Sequence, residues 1–160
     1  MRSALLAAGV VFLAVAEARA AEPPCKVLTA ADVKAVTGQD VQPLAKGESP
    51  GAGGCANFRT PDGHAFLGVD RHRGAGAYQT AVGSVPTDVY PQRAPVAGLG
   101  DEAMLMKDDT GRMRYLVARK GETTVVLFPL TYDKVVNGKV QYQISDAQLQ
   151  QLAERALAAK

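Results

Sequence analysis

Hydrophobic and polar residues alternate most regularly between residues 102 and 128, in three short runs separated by polar breaks that contain glycine. The runs cover residues 102–106, 113–120 and 122–128, and the breaks lie around Gly111 and Gly121. A period of two is typical of β-strands, and short glycine-containing breaks are typical of hairpin turns. The pattern therefore predicts a three-stranded antiparallel meander, which forms the centre of the predicted fold.

A hairpin is predicted upstream of the meander, from residues 55–60 and 64–70. The Pro61-Asp62-Gly63 sequence between them predicts a turn, because proline presets φ and glycine accepts a positive φ. A further hairpin is indicated by Asn137-Gly138, with residues 134–136 and 139–142 as its arms.

Residues 43–54 contain glycine, proline and serine, and residues 85–95 contain three prolines. Neither stretch shows periodicity, and both are predicted to be loops.

The first helix is predicted over residues 30–37. Thr29 is its expected N-cap, Asp32 occupies the third helical position, and Gly38 ends the helix. A second, short helix is predicted around residues 78–82, within a segment that has glycine at each end.

The last helix carries the clearest signals. Ser145 is the expected N-cap and Gln148 completes a capping box. One face of the helix is an apolar stripe formed by Leu149, Leu152, Ala153, Ala156 and Leu157. Because an amphipathic helix buries its apolar stripe, we predict that this helix packs on the meander.

The first twenty residues have the features of a secretion signal. Arg2 precedes an apolar run over residues 4–16, and Ala18-Arg19-Ala20 fits the small-x-small rule for cleavage. An uncleaved membrane anchor is the alternative, but the run is shorter than the roughly 20 residues of a spanning helix. We predict a signal peptide over residues 1–20, one α+β domain over residues 21–160, a periplasmic or secreted location, and no stable membrane insertion.

Two cysteines remain after the signal, Cys25 and Cys55. An even count in an exported chain favours one structural disulfide between them. Two free thiols or an intermolecular bridge are the alternatives. The predicted fold is therefore a single α+β domain with one disulfide. Its antiparallel sheet consists of the hairpin and the meander, covered by the short N-terminal helix and the C-terminal helix.

The formal net charge of the chain is +2, and loss of Arg2, Glu17 and Arg19 with the signal brings it to about +1. There is no tryptophan, and aromatic residues are 6% of the chain. A near-neutral chain with few stacking residues has no signature of nucleic-acid binding, so no nucleic-acid partner is predicted.

Candidate chemistry concentrates in Asp70-Arg71-His72-Arg73. Arg71, His72 and Arg73 are the candidate ligand-binding residues. Arg71 and Arg73 with the backbone of residues 74–76 would form an anion-binding nest, whereas the competing interpretation is a solvated strand end or charged loop.

The two histidines, His64 and His72, lie on the same side of a regular strand, but more than about 20 Å apart if it is extended. No metal, cofactor or catalytic residue is predicted. The glycines of residues 51–54 lack the Lys-Ser/Thr of a phosphate-binding loop, and Asp101-Glu102 and Asp108-Asp109 are interpreted as turn and surface charges.

Several short motifs together resemble one family. They are residues 25–33 with Gly38 and Gly54-Cys55, residues 95–103 with their Gly-Leu-Gly-Asp sequence, residues 117–122, and the closing helix. They resemble small secreted bacterial proteins grouped as a domain of unknown function, many of which are lipoproteins. The chain departs from the lipoprotein members because it has no cysteine at the expected cleavage point. The resemblance implies an α+β fold with an antiparallel sheet and an N-terminal disulfide, and it supplies no catalytic residues.

These observations favour an exported, soluble, non-enzymatic binding or accessory protein of the cell envelope, whose partner is a small ligand or an envelope protein. One alternative is a hydrolase-type enzyme with a site assembled from distant loops. Another is a small inhibitor or envelope-stress protein that acts through residues 43–54 and 85–95. A deep polar pocket holding His64 or His72 beside a carboxylate would favour the enzyme, and an apolar groove would favour a ligand carrier.

Overall fold

The computed structural model describes residues 27–44, 56–130, 134–136, 139–141 and 144–159. Three helices lie within these residues: α1 Ala30–Thr37, α2 Ala77–Ser84 and α3 Asp146–Ala158. The main sheet consists of β1 Gln42–Pro43, β2 Ala56–Arg59, β3 Ala65–Arg73, β4 Gln92–Pro95, β5 Glu102–Lys107, β6 Arg114–Lys120 and β7 Thr123–Pro129. A separate two-stranded hairpin pairs β8 Lys134–Val136 with β9 Lys139–Gln141, close to the predicted arms.

The main sheet is antiparallel throughout, with strand order β1-β2-β3-β7-β6-β5-β4. The predicted hairpin and meander are present, and β3 joins them by pairing with β7 from Leu67 opposite Pro129 to Arg73 opposite Thr123. The predicted α+β class is confirmed. The sheet, however, has seven strands and is larger than a hairpin plus a three-stranded meander.

One edge strand lies entirely within a predicted loop, and the other overlaps a predicted loop by one residue. Gln92–Pro95 pairs with β5, so the loop prediction for residues 85–95 is wrong at its end. Gln42–Pro43 pairs with β2 and shares only Pro43 with the predicted loop over residues 43–54. Proline is tolerated at these positions because an edge strand needs hydrogen-bonding groups on only one side. A proline therefore argues against the interior of a central strand, but not against an edge strand or the end of a strand.

Local capping signals determine both ends of α1 and the beginning of α3. In α1, the Thr29 hydroxyl accepts a hydrogen bond from the Asp32 amide at 3.1 Å, and the Asp32 carboxylate accepts one from the Thr29 amide at 2.9 Å. Gly38 ends α1 with φ of 75°. In α3, Ser145 and Gln148 form the same reciprocal pair. The predictions of both helices are confirmed.

One face of the sheet, here called the α3 face, carries the larger core. Helices α1 and α3 cover it, and Leu149, Leu152, Ala153 and Ala156 of α3 are fully buried there. This confirms that the closing helix packs on the meander. The sheet side chains that meet the helices include Leu67, Val69, Leu116, Ala118, Val125 and Leu127.

The opposite face, here called the α2 face, carries a smaller core. Tyr78 and Val85 pack there against Met106, Val117 and Val126. Both faces of β6 and β7 are therefore buried, as expected for strands that are apolar on both sides. Because α2 is only eight residues long, it leaves part of this face uncovered.

The predicted signal peptide, Cys25, Cys55 and the Asn137-Gly138 turn lie outside the described residues. The signal peptide and the disulfide therefore remain predictions. In the described part of the chain, no helix combines the length and apolar character needed to cross a membrane.

Candidate functional site

A cleft of about 480 Å³ opens on the α2 face, between α2 and strands β3, β7 and β6. Its floor is apolar, formed by Tyr115, Val126 and Phe128. Ala77 and Ala81 of α2 form one wall, where their small side chains leave the space open. This volume falls within the range of about 300–1,000 Å³ that is usual for small-molecule sites.

Strand register explains which side chains reach the cleft. Gly68, Phe128 and Tyr115 occupy one cross-strand row, because Gly68 lies opposite Phe128 and the β6–β7 register places Tyr115 next in line. Asp70 lies opposite Val126 in the second row, and His72 lies opposite Thr124 in the third.

Asp70 and His72 are two residues apart in β3. They therefore share the face on which the cleft lies.

The aromatic part of the floor depends on a glycine. The rings of Tyr115 and Phe128 are stacked, with centroids 5.3 Å apart and an angle of 21° between their planes. A Cβ atom at Gly68 would lie 2.2 Å from Phe128 Cε2, so the Phe128 ring occupies the space above the glycine backbone. Tyr90 contacts Tyr115 edge-on, with centroids 5.1 Å apart. The result is an aromatic cluster, of which Tyr115 and Phe128 line the cleft.

Asp70 is the least exposed charged group that lines the cleft. It is half-buried, and its Oδ1 is shielded from solvent without a hydrogen-bond partner among the described residues. Burial raises the pKa of the Tyr115 phenol, and the negative charge of Asp70 raises that pKa further. Tyr115 therefore stays protonated at neutral pH, next to a carboxylate whose charge reaches it.

The three candidate residues predicted from the sequence do not share a location. His72 and Arg73 line the cleft and are exposed at its rim. Arg71 lies on the opposite face, where its Nη2 donates to the carbonyl of Ala159 at 3.2 Å, just beyond α3. In the predicted anion nest, the Gly74 amide already donates to the Glu122 carbonyl at 2.9 Å. Arg71 and His72 therefore lie on opposite faces of the sheet. The Gly74 amide, one of the donors of the predicted nest, is already used in a backbone hydrogen bond.

His64 lies outside the cleft lining, at the turn between β2 and β3. It is exposed, with its Nε2 3.6 Å from a carboxylate oxygen of Asp62. The residues that sequence reasoning missed are Tyr115, Val126 and Phe128. The apolar character of β7 on both faces indicated that elements pack on both sides of the sheet. It did not indicate that α2 leaves part of its face uncovered.

A second charged cluster lies on the α3 face, where α3 begins. The fully buried guanidinium of Arg114 donates to the Ile144 carbonyl at 2.6 Å and to Asp146 Oδ1 at 3.2 Å. Lys107 Nζ lies 2.5 Å from Asp146 Oδ2.

Burial tends to raise the pKa of Asp146, but hydrogen bonds from Lys107 and Arg114, together with their charges, outweigh it and hold the pKa below its usual value. Asp146 also lies in the first turn of α3, where the helix dipole favours a negative charge. These contacts anchor α3 to the sheet, and we interpret the cluster as structural.

Residues 27–44, 56–130 and 144–159 contain no group of three or more His, Cys, Asp or Glu side chains arranged to hold a metal ion. Comparison of the chain with protein-family models, curated proteins and solved structures found no match. The resemblance to the secreted family described above therefore remains a prediction.

Proposed function

We propose that the protein is an exported, non-enzymatic binding or accessory protein of the cell envelope that holds a small ligand in the cleft beside α2. The observation that carries this proposal is the combination of an apolar aromatic floor with a few polar groups at the rim. Small-molecule sites have this composition, because apolar area provides affinity and a few polar groups set the orientation.

A hydrolase-type enzyme is the second candidate, because His72 lies beside a carboxylate, Asp70, on one strand face. The serine hydroxyl on the adjoining wall does not support it. Ser84 Oγ donates its hydrogen to the carbonyl of Ala81 at 2.8 Å, so that proton is not directed at a histidine base. A nucleophilic serine needs a base within hydrogen-bonding reach. Binding without chemistry accounts for the cleft with fewer requirements.

The proposal is tested by native mass spectrometry of the protein purified from its own periplasm. Ala81→Trp fills the cleft, whereas Gln79→Trp places the same ring on an exposed position of α2 outside the cleft lining. We expect a small molecule to co-purify with the wild type and with Gln79→Trp, and to be absent from Ala81→Trp. Thr80→Trp, at an exposed position in the lining, replaces Ala81→Trp if that variant does not fold.

Retention of the molecule by both tryptophan variants would contradict binding in the cleft. Co-purification of an envelope protein in place of a small molecule would favour the accessory role through a protein interface. Hydrolysis of ester or peptide substrates that is lost in His72→Ala would favour the enzyme.

A further inference from the structure

We infer that the cleft selects a small organic cation, whose hydrogen-bond-donating ammonium or similar group binds Asp70 and whose apolar part lies on the Tyr115–Phe128 stack. This inference rests on the proposed function, because it specifies the ligand class of the same cleft. Three separate features of the residues in the cleft support this inference.

The first feature is the hydrogen-bonding state of Asp70. Its Oδ1 is shielded from water and has no partner among the residues that the structure describes. Buried carboxylate oxygens are normally satisfied by a donor, since loss of hydration without a replacement is unfavourable. Asp70 lies opposite the buried Val126, so its own strand neighbour offers only a side chain without polar atoms. Because Oδ1 itself has no exposed surface, a ligand donor in the cleft reaches it only if the Asp70 side chain rotates toward the cleft, and that contact would complete the carboxylate.

The second feature is the sign of the charge at different depths. Asp70 is half-buried, whereas His72 and Arg73 are exposed at the rim. Charges in contact with water are screened by solvent and salt, while a partly buried charge acts more strongly on its surroundings. Arg71 is directed to the opposite face and contributes its charge there. Among the residues that line the cleft, the least exposed charged group is therefore a carboxylate, although the rim carries Arg73.

The third feature is the aromatic floor. The face of an aromatic ring carries negative electrostatic potential and attracts cations. The stacked rings of Tyr115 and Phe128 lie in the same cleft as Asp70, and the charge of Asp70 reaches the Tyr115 phenol. An aryl or alkyl ammonium compound would use the floor for its apolar part and the carboxylate for its charged end.

The experiment uses three probes of nearly the same shape that differ in charge: benzylamine, benzyl alcohol and benzoate. Each is titrated into the mature protein, with binding followed by chemical shifts of the Tyr115 ring and the Phe128 ring. We expect benzylamine to bind at least tenfold more tightly than the other two. In Asp70→Asn the preference for benzylamine should disappear, while affinity for benzyl alcohol stays within twofold.

Asp109→Asn is the matched control, because it removes one exposed carboxylate from the β5–β6 turn, outside the cleft lining. It should retain the wild-type preference. Bound benzylamine should also lower the pKa of Tyr115, since it offsets the charge of Asp70. Thermal melting of Asp70→Asn verifies that the variant is folded, and the absence of a partner for Oδ1 predicts little change.

Equal affinity for benzylamine and benzyl alcohol would overturn the charge inference but leave the cleft as a binding site. Tightest binding of benzoate would overturn it in favour of an anion site at His72 and Arg73. Absence of any shift in Tyr115 and Phe128 with all three probes would also overturn it. The proposed function fails separately, if the co-purifying molecule is retained in Ala81→Trp.

Discussion

The two glycines of the Gly-Leu-Gly-Asp sequence at residues 98–101 test how closely this segment packs against β6. They have similar backbone conformations but different surroundings. Both have positive φ, 78° at Gly98 and 65° at Gly100. A Cβ atom at Gly98 would meet no atom within 4 Å, whereas one at Gly100 would lie 2.3 Å from the carbonyl oxygen of Arg119. That carbonyl accepts a hydrogen bond from the Asp101 amide at 2.7 Å.

The expected cost of each alanine follows from these distances. A left-handed conformation costs an L-residue roughly 1–2 kcal/mol, so Gly98→Ala should lose about that amount. Gly100→Ala has the same backbone cost. It also forces the Cβ atom and a strand carbonyl apart by roughly 1 Å, and such overpacking adds about 1–3 kcal/mol. We therefore expect a total loss of about 2–5 kcal/mol for Gly100→Ala.

Urea unfolding of both variants measures the difference. With a slope of about 2 kcal/mol per molar urea, the midpoint should fall by about 0.5–1 M for Gly98→Ala and by about 1–2.5 M for Gly100→Ala. Equal shifts in the two variants would refute the close approach of Gly100 to β6. A smaller loss of stability in Gly100→Ala than in Gly98→Ala would also refute the expected clash between a Cβ atom at position 100 and the Arg119 carbonyl.

Two further predictions concern α3. Leu152→Ala should lower the free energy of unfolding by about 2–5 kcal/mol, because Leu152 is fully buried, while Gln151→Ala at an exposed position should change it by less than about 0.5 kcal/mol. An unchanged urea midpoint for Leu152→Ala would contradict the packing of α3. Asp146→Asn should cost about 1–3 kcal/mol at pH 7 through loss of charge-assisted hydrogen bonds. Because the folded-state pKa of Asp146 lies below the ordinary value of 3.8, its contribution is present above that pH and is lost as the pH falls through the folded-state pKa. Urea midpoints of wild type and Asp146→Asn between pH 7 and pH 2.5 measure this, and a constant difference would contradict it.

The locally determined features could be predicted from the sequence. The capping boxes at Thr29 and Ser145 involve residues three positions apart, and such contacts depend little on the rest of the chain. The alternation along β6 and the apolar stripe of α3 indicate which side of each element is apolar. These signals were sufficient for two of the three described helices in detail, for the meander and for the α+β class.

The neighbours of each element were decided by the tertiary structure. Periodicity shows that a strand has an apolar face but not which strand pairs with it, so the β3–β7 pairing and the edge position of Gln92–Pro95 had no local signal. The cleft depends on the same long-range choice. Asp70, Ala81 and Phe128 belong to three elements that are distant in sequence and meet only after β3 pairs with β7 and α2 folds back over them. The sequence by itself determined most of the elements and their apolar sides. The site was determined by the competition among possible strand pairings and packing arrangements, which is resolved only in the folded chain.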